Sequence, residues 1–178
     1  NLDSLMPGLF DLIETYFDPD EPDCIQFARY KANTYLKVPD PDDDRLANAV
    51  TGLLLSGLLK RFESSTGAFS ISVERLISQH KQFLKALQDG YVVSTEFLKE
   101  SASTDDEDFE ELLSSSEETY DANLFEIVRL REDVQGDLEK LETLMVLLRK
   151  ITASADPKLK ALAEQLETIS REAEFEAS

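Results

Sequence analysis

Residues 124–155 read LFEIVRLREDVQGDLEKLETLMVLLRKITASA, and the spacing of their apolar side chains decides the fold class. Leu124, Arg131, Leu138, Met145 and Thr152 recur every seven residues, as do Ile127, Val134, Leu141, Leu148 and Ala155. Eight of these ten are apolar, Arg131 and Thr152 being the exceptions. A seven-residue repeat of this kind is one stripe of an α-helix, and an apolar stripe needs a second surface to cover it. The spacing predicts a helix over Tyr120–Ala155, about 54 Å long at 1.5 Å per residue. Asp156 and Pro157 then look like the N-cap and first residue of another helix, with Leu159, Leu162, Leu166 and Ile169 on one face. The expected arrangement is an antiparallel helical hairpin of Tyr120–Ala155 against Pro157–Phe175.

Helical periodicity also dominates upstream. Leu5, Leu9, Leu12, Ile13, Tyr16 and Phe17 predict a short first helix capped by Asp3 or Ser4, with Pro7 in its first turn. Asp18, Pro19, Asp20, Glu21 and Pro22 end it, and a second helix is expected from about Asp23 to Lys37. Pro39 and Pro41 force the next break. Asp42, Asp43 and Asp44 complement the dipole of a third helix, Arg45 to about Ser65, whose centre from Ala49 to Leu59 is apolar nearly all round. Such a helix is covered on several sides, and Gly52, Ser56 and Gly57 let a neighbouring chain come close. A fourth helix follows Gly67, with Phe69, Val73, Leu76, Ile77, Phe83, Leu84 and Leu87 facing the core and Gly90 stopping it. The fold class is therefore all-α: a helical subdomain over 1–100, a flexible acidic linker over 101–119 and the helical hairpin over 120–178.

The charge is lopsided. The chain carries 37 acids against 18 Lys and Arg, a net charge of -19. Residues 1–23 hold seven acids and no base, and residues 101–126 hold ten acids and no base. The middle, 24–100, is nearly balanced with nine acids and ten bases. So negative a chain repels phosphate, and any contact with nucleic acid falls to a local patch. The densest basic group is Lys60, Arg61, Arg75, Lys81 and Lys85, read either as plain surface charge or, for Lys60 and Arg61, as contacts to a nucleic-acid phosphate or to a carboxylate on a neighbouring domain.

Catalytic chemistry has few footholds. No glycine-rich phosphate loop occurs. His80 is the sole histidine and Cys24 the sole cysteine, which excludes disulfides, thiolate clusters and two-histidine metal sites; His80 reads as a surface or packing residue and Cys24 as a buried small hydrophobe. Carboxylates such as Glu139 and Glu142 fall on the outer face of the long helix as solvated charges. The run Val50–Leu59 is too short to span a bilayer, so no membrane contact is expected, and the single cysteine makes the reducing cytoplasm the default compartment. The chain opens at Asn1 and stops at Ser178 without a signal at either end, and it is expected to be a piece of something longer.

One string is more specific. Leu58-Leu59-Lys60-Arg61-Phe62-Glu63-Ser64-Ser65, then Ala68-Phe69, Val73-Glu74-Arg75-Leu76, His80, Phe83 and Leu84, resembles a segment of bacterial Swi/Snf-type superfamily II helicases. Phe27-Ala28-Arg29-Tyr30 and Asp156-Pro157-Lys158-Leu159-Lys160-Ala161-Leu162 fit the same pattern in the expected order, so the resemblance covers roughly half the chain. It implies a helical insertion between two RecA-like ATPase lobes. This segment would have no catalysis of its own, and ATP and Mg would bind the parent rather than this chain. The implied partners are the flanking lobes of the same polypeptide and, through the parent, DNA. Lys60, Arg61, Ser64, Ser65, Arg75 and Lys81 are the implied contacts to DNA or to a lobe. Two other classes stay open on the residues alone, a free-standing acidic adaptor or DNA mimic and a carboxylate enzyme. Self-association through the heptad stripe is a further expectation.

Overall fold

The structure, a computed structural model, describes residues 2–95, 109–110, 112–113 and 117–177. It is an all-α helical bundle with one small antiparallel ribbon. Helix α1 spans Leu2–Tyr16 and buries Leu9 and Ile13. Helix α2, Pro41–Ser64, begins four residues earlier than its apolar pattern suggests. Asp40 and Asp43 close a reciprocal capping box there, and Pro41 takes the first helical position, where no amide hydrogen is needed. Helix α3, Thr66–Gln88, buries Phe69, Val73, Leu76, Phe83 and Leu87 and ends ahead of Gly90, whose φ of 94° lies in the left-handed region.

Three sequence expectations need correction. The second helix is not an α-helix over Asp23–Lys37 but a 3-10 segment, Ala28–Tyr35, kinked at Lys31. It is preceded by Phe27 in a left-handed conformation, φ 54°. Tyr120 does not start the long helix; it lies in a ribbon of β1, Tyr91–Thr95, and β2, Glu117–Asp121, with Tyr91 opposite Asp121 and Thr95 opposite Glu117. Nor does the chain turn back at Pro157. Helix α4 runs unbroken from Ile127 to Ala177, 51 residues and about 76 Å. The stripe that called for a hairpin partner is instead covered by α1, α3 and the 3-10 segment. The residues after Pro157, rich in Lys, Leu, Ala, Glu and Gln, are strong helix formers that sustain the helix past the proline.

The buried stripe of α4 is also offset from the expected one. Val134, Leu141 and Leu148 lie on it as expected, but their alternating partners are Leu130, Asp137, Leu144 and Ile151, while Leu124, Arg131 and Thr152 are exposed. Leu138 and Met145 are buried at its margin. An aspartate holds a core position, which hides the true register from a search for apolar residues.

Two hydrophobic clusters share α4. One joins α1, α2 and α3 to Leu141, Leu144, Met145, Leu148 and Ile151. The other gathers Ala28, Ala32, Tyr35, Phe83, Leu87, Val92, Ala122 and Phe125 around Leu130 and Val134. Residues on both sides of the expected 101–119 linker thus pack into the same core. Within that interval Phe109, Leu112 and Leu113 are buried in the first cluster, while 101–108, 111 and 114–116 lie outside the described residues.

Candidate functional site

The α2–α3 corner collects most of the basic candidates and builds itself from the Lys60–Ser65 string. Ser65 ends one helix and starts the next: its backbone N–H donates to Arg61 O at 2.9 Å, and its Oγ accepts from Ala68 N at 2.9 Å. A single residue that caps both helices leaves the corner no loop in which to flex. Phe62 stands edge-on to Phe10 and to Phe69, with ring centroids 5.5 and 5.3 Å away, and Phe69 makes the same contact with Phe17 at 6.0 Å. The corner is thereby tied to α1. Lys60 and Ser64 are exposed on its outer side, and Ser65 is exposed but occupied by its capping role.

Arg61 and Arg75, one from each helix, converge on a single carboxylate. Arg61 Nη2 donates to Glu110 Oε1 at 2.6 Å and Arg75 Nη1 donates to Glu110 Oε2 at 2.8 Å. The two guanidinium groups, Arg75 foremost, hold the Glu110 carboxyl below its ordinary pKa. The Arg61 guanidinium also lies 4.1 Å from the centre of the Phe109 ring. That ring is wholly buried and rests on Gly57, where any Cβ would collide with it. Gln79 Nε2 donates to Leu113 O at 2.8 Å and its Oε1 accepts from the Tyr30 hydroxyl. Gly57, Arg61, Arg75 and Gln79 therefore form a groove that grips one aromatic ring, one carboxylate, two leucines and one backbone carbonyl. Lys81 lies apart from it, exposed, 3.6 Å from Glu142.

Of the six sequence-predicted contacts, the structure brings Arg61 and Arg75 onto one partner and leaves Lys60, Ser64, Ser65 and Lys81 separate. The partner of the two arginines is a carboxylate of this chain. Glu110 and Phe109 carry one signal in the sequence, the brief apolar interruption, Phe109–Leu113, within an acidic run; Gly57 reads from the sequence as a point of close approach, and the Phe109 ring is what approaches it.

A second polar centre lies where α4 meets the 3-10 segment. Asp137, buried, accepts the backbone N–H groups of Gln26 at 2.8 Å and Ala28 at 2.9 Å, on either side of left-handed Phe27. Lys140 Nζ donates to Cys24 O at 3.1 Å. Burial raises the Asp137 carboxyl to about 6 in spite of those two hydrogen bonds. Tyr35 donates to Asp133 at 2.6 Å, and burial with that bond pushes the phenol above its usual range. Buried Arg29 pairs with Glu117 of β2 at 2.5 Å and lies 4.7 Å from the Tyr30 ring, which fastens the ribbon to the 3-10 segment.

His80 is wholly buried; its Nδ1–H donates to Leu76 O at 2.6 Å, and burial lowers it to about 4, so the ring is neutral at physiological pH. Cys24 is half-buried beside Pro19 O. No group of three His, Cys, Asp or Glu side chains close enough to hold a metal occurs among the described residues. No described helix is long and apolar enough to cross a membrane. The chain matches no protein-family model, and neither a curated protein nor a solved structure matches it.

Proposed function

We propose that this chain is the helical insertion of an ATP-dependent DNA helicase or translocase of the Swi/Snf type, bracing the two ATPase lobes. The observation that carries the reading is the Lys60–Ser65 corner. The string that resembles the helicase segment is used to build a stiff joint: Ser65 caps both helices, Phe62 locks the joint to α1, and Arg61 reaches Glu110. A joint without a loop transmits force between the elements it connects. Helix α4 supports the same reading. Its first half is set in the bundle, and it continues about 76 Å in all, with Gln165, Thr168, Ile169 and residues 171–176 exposed.

In this reading ATP and Mg bind the parent's lobes and this segment supplies rigidity. A DNA contact by this segment falls to Lys60, Ser64 and Lys81, which are exposed, whereas Arg61 and Arg75 are half-buried.

The test places Gln165→Pro in the longer polypeptide. A proline in a helix interior removes a hydrogen bond and costs about 3 kcal/mol locally. Basal ATP hydrolysis should persist while stimulation by DNA falls severalfold. Full DNA stimulation in a folded variant, or a longer reading frame without ATPase motifs, would defeat the brace and favour an acidic adaptor.

A further inference from the structure

Helices α3 and α4 run in opposite directions along a shared seam: Lys81 meets Glu142, while Leu84 and Gln88 come beside Arg131 and Gln135 nearer the start of α4. Between the last four side chains the seam opens into a groove of about 530 Å³. Ligand sites commonly enclose about 300–1,000 Å³. The residues that line this one are Leu84, Gln88, Arg131 and Gln135, with no acid among them. Gln88, Arg131 and Gln135 are exposed and Leu84 is half-buried. Arg131 is also the charged residue that interrupts the seven-residue apolar repeat. It pairs with no acid among the described residues, whereas Arg29, Arg61, Arg75 and Arg129 each hold one. Core packing requires none of the three polar side chains, because Phe83, Leu87, Leu130 and Val134 already join the two helices in one hydrophobic cluster.

We propose that this groove is a contact site for the phosphodiester backbone of a nucleic acid, with Arg131 pairing with one phosphate and Gln88 and Gln135 donating to the strand beside it. A guanidinium presents a fork of N–H donors that matches a phosphate, and glutamine amides also donate to phosphate oxygens. On each helix the two lining residues are four positions apart, about 6 Å along the axis, so the donors are set out along a line, as a strand requires, and not round a single ion. Backbone contacts carry no sequence information, so binding is indifferent to base sequence and sensitive to salt. The chain's net charge of -19 opposes binding elsewhere, which keeps the contact weak and confined to the groove. Lys81, one turn before Leu84 on α3, is the residue implied by the resemblance that borders this surface. The groove lies wholly within this chain, so its test is independent of the ATPase lobes of the proposed function.

The experiment follows the anisotropy of a short fluorescein-labelled DNA duplex titrated with the full chain at a series of low salt concentrations. Arg131→Glu is compared with Arg149→Glu, which makes the same change of charge at an exposed position about 27 Å farther along α4. Arg131→Glu should weaken binding by about tenfold or more, and Arg149→Glu by less than about twofold. Gln88→Leu with Gln135→Leu, which leaves the charge unaltered, should weaken it severalfold. Arg131→Gln should lower the log-log salt slope by about one unit. All four positions are exposed, so helical circular dichroism and the unfolding midpoint should match those of the unaltered chain. No measurable binding by the unaltered chain at the lowest salt, equal losses in the two glutamate variants, or displacement of the duplex by inorganic phosphate at matched ionic strength would overturn the proposal. Equal binding of poly-glutamate would overturn it too, by marking a general anion surface.

Discussion

The Phe109 ring rests on Gly57, so that the glycine's missing side chain is the space the ring occupies. Within a helix, Gly→Ala ordinarily stabilises by about 1 kcal/mol. At Gly57 the added carbon meets a ring that is buried on all sides, and overpacking of this kind costs about 1–3 kcal/mol. Gly57→Ala should therefore lower stability, whereas Gly52→Ala, on the same helix with no atom within 4 Å of the new carbon, should raise it by about 1 kcal/mol. Urea unfolding of the two variants side by side checks this; a stabilised Gly57→Ala would mean the ring is not seated there.

Asp137 gives stability a dependence on pH. Its folded pKa of about 6 lies above the ordinary 3.8, so the folded state holds the proton more tightly than the unfolded state. The sign follows: this group's contribution is fully present below about pH 4 and is lost as pH rises to 6, by about 3 kcal/mol for a shift of roughly two units. The difference in stability between the unaltered chain and Asp137→Asn, measured by denaturant titration from pH 4 to 7, should carry that slope. A flat difference across the window would show that Asp137 titrates normally.

Removing the Asp137 carboxyl altogether has a separate effect. Asp137→Ala leaves the buried amide of Ala28 without an acceptor, at about 1–3 kcal/mol, and takes the acceptor from the part-buried amide of Gln26. Exchange of those two amides with solvent deuterium should accelerate far more than exchange in α2. Equal acceleration throughout would signify only global loosening.

The Arg61–Glu110–Arg75 contact is partly exposed, with Glu110 at 48%. Each ion pair is therefore expected to contribute less than about 1 kcal/mol and to weaken as salt is added. Because its carboxyl titrates below the usual range, its contribution is present at neutral pH and is lost as pH falls through the folded value. Glu110→Gln should cost little at high salt and more at low salt; a penalty independent of salt would contradict the electrostatic account.

Helix α4 beyond the core should be thermally silent. The residues described from Gln165 to Glu176 are exposed, so Gln165→Pro should reduce helical circular dichroism while leaving the main unfolding midpoint in place. A fall of several degrees would mean that this end of the helix is packed against the bundle.

The sequence showed α1, α2 and α3 because each carries an apolar face at helical spacing with capping or breaking residues at its ends, all read within a few positions. It also showed one stripe of α4, Val134, Leu141 and Leu148, but misplaced the other, since Asp137 is polar and Leu138 and Met145 are apolar at the neighbouring register. Arg61 and Arg75 stood out as charge, and Ser64 and Ser65 through the resemblance; none of these signals named Glu110 as the arginines' partner.

The sequence by itself determined that this chain is helical, acidic at its start and across 101–126, and without a phosphate loop, because these depend on local periodicity and composition. Tertiary structure decided where Phe27 turns left-handed and what the two arginines hold. Asp137 and Gln26 are 111 residues apart, and Arg61 and Glu110 are 49. Satisfying a buried amide or a guanidinium is a contest among all groups the fold brings near, and spacing along the chain carries no record of its outcome.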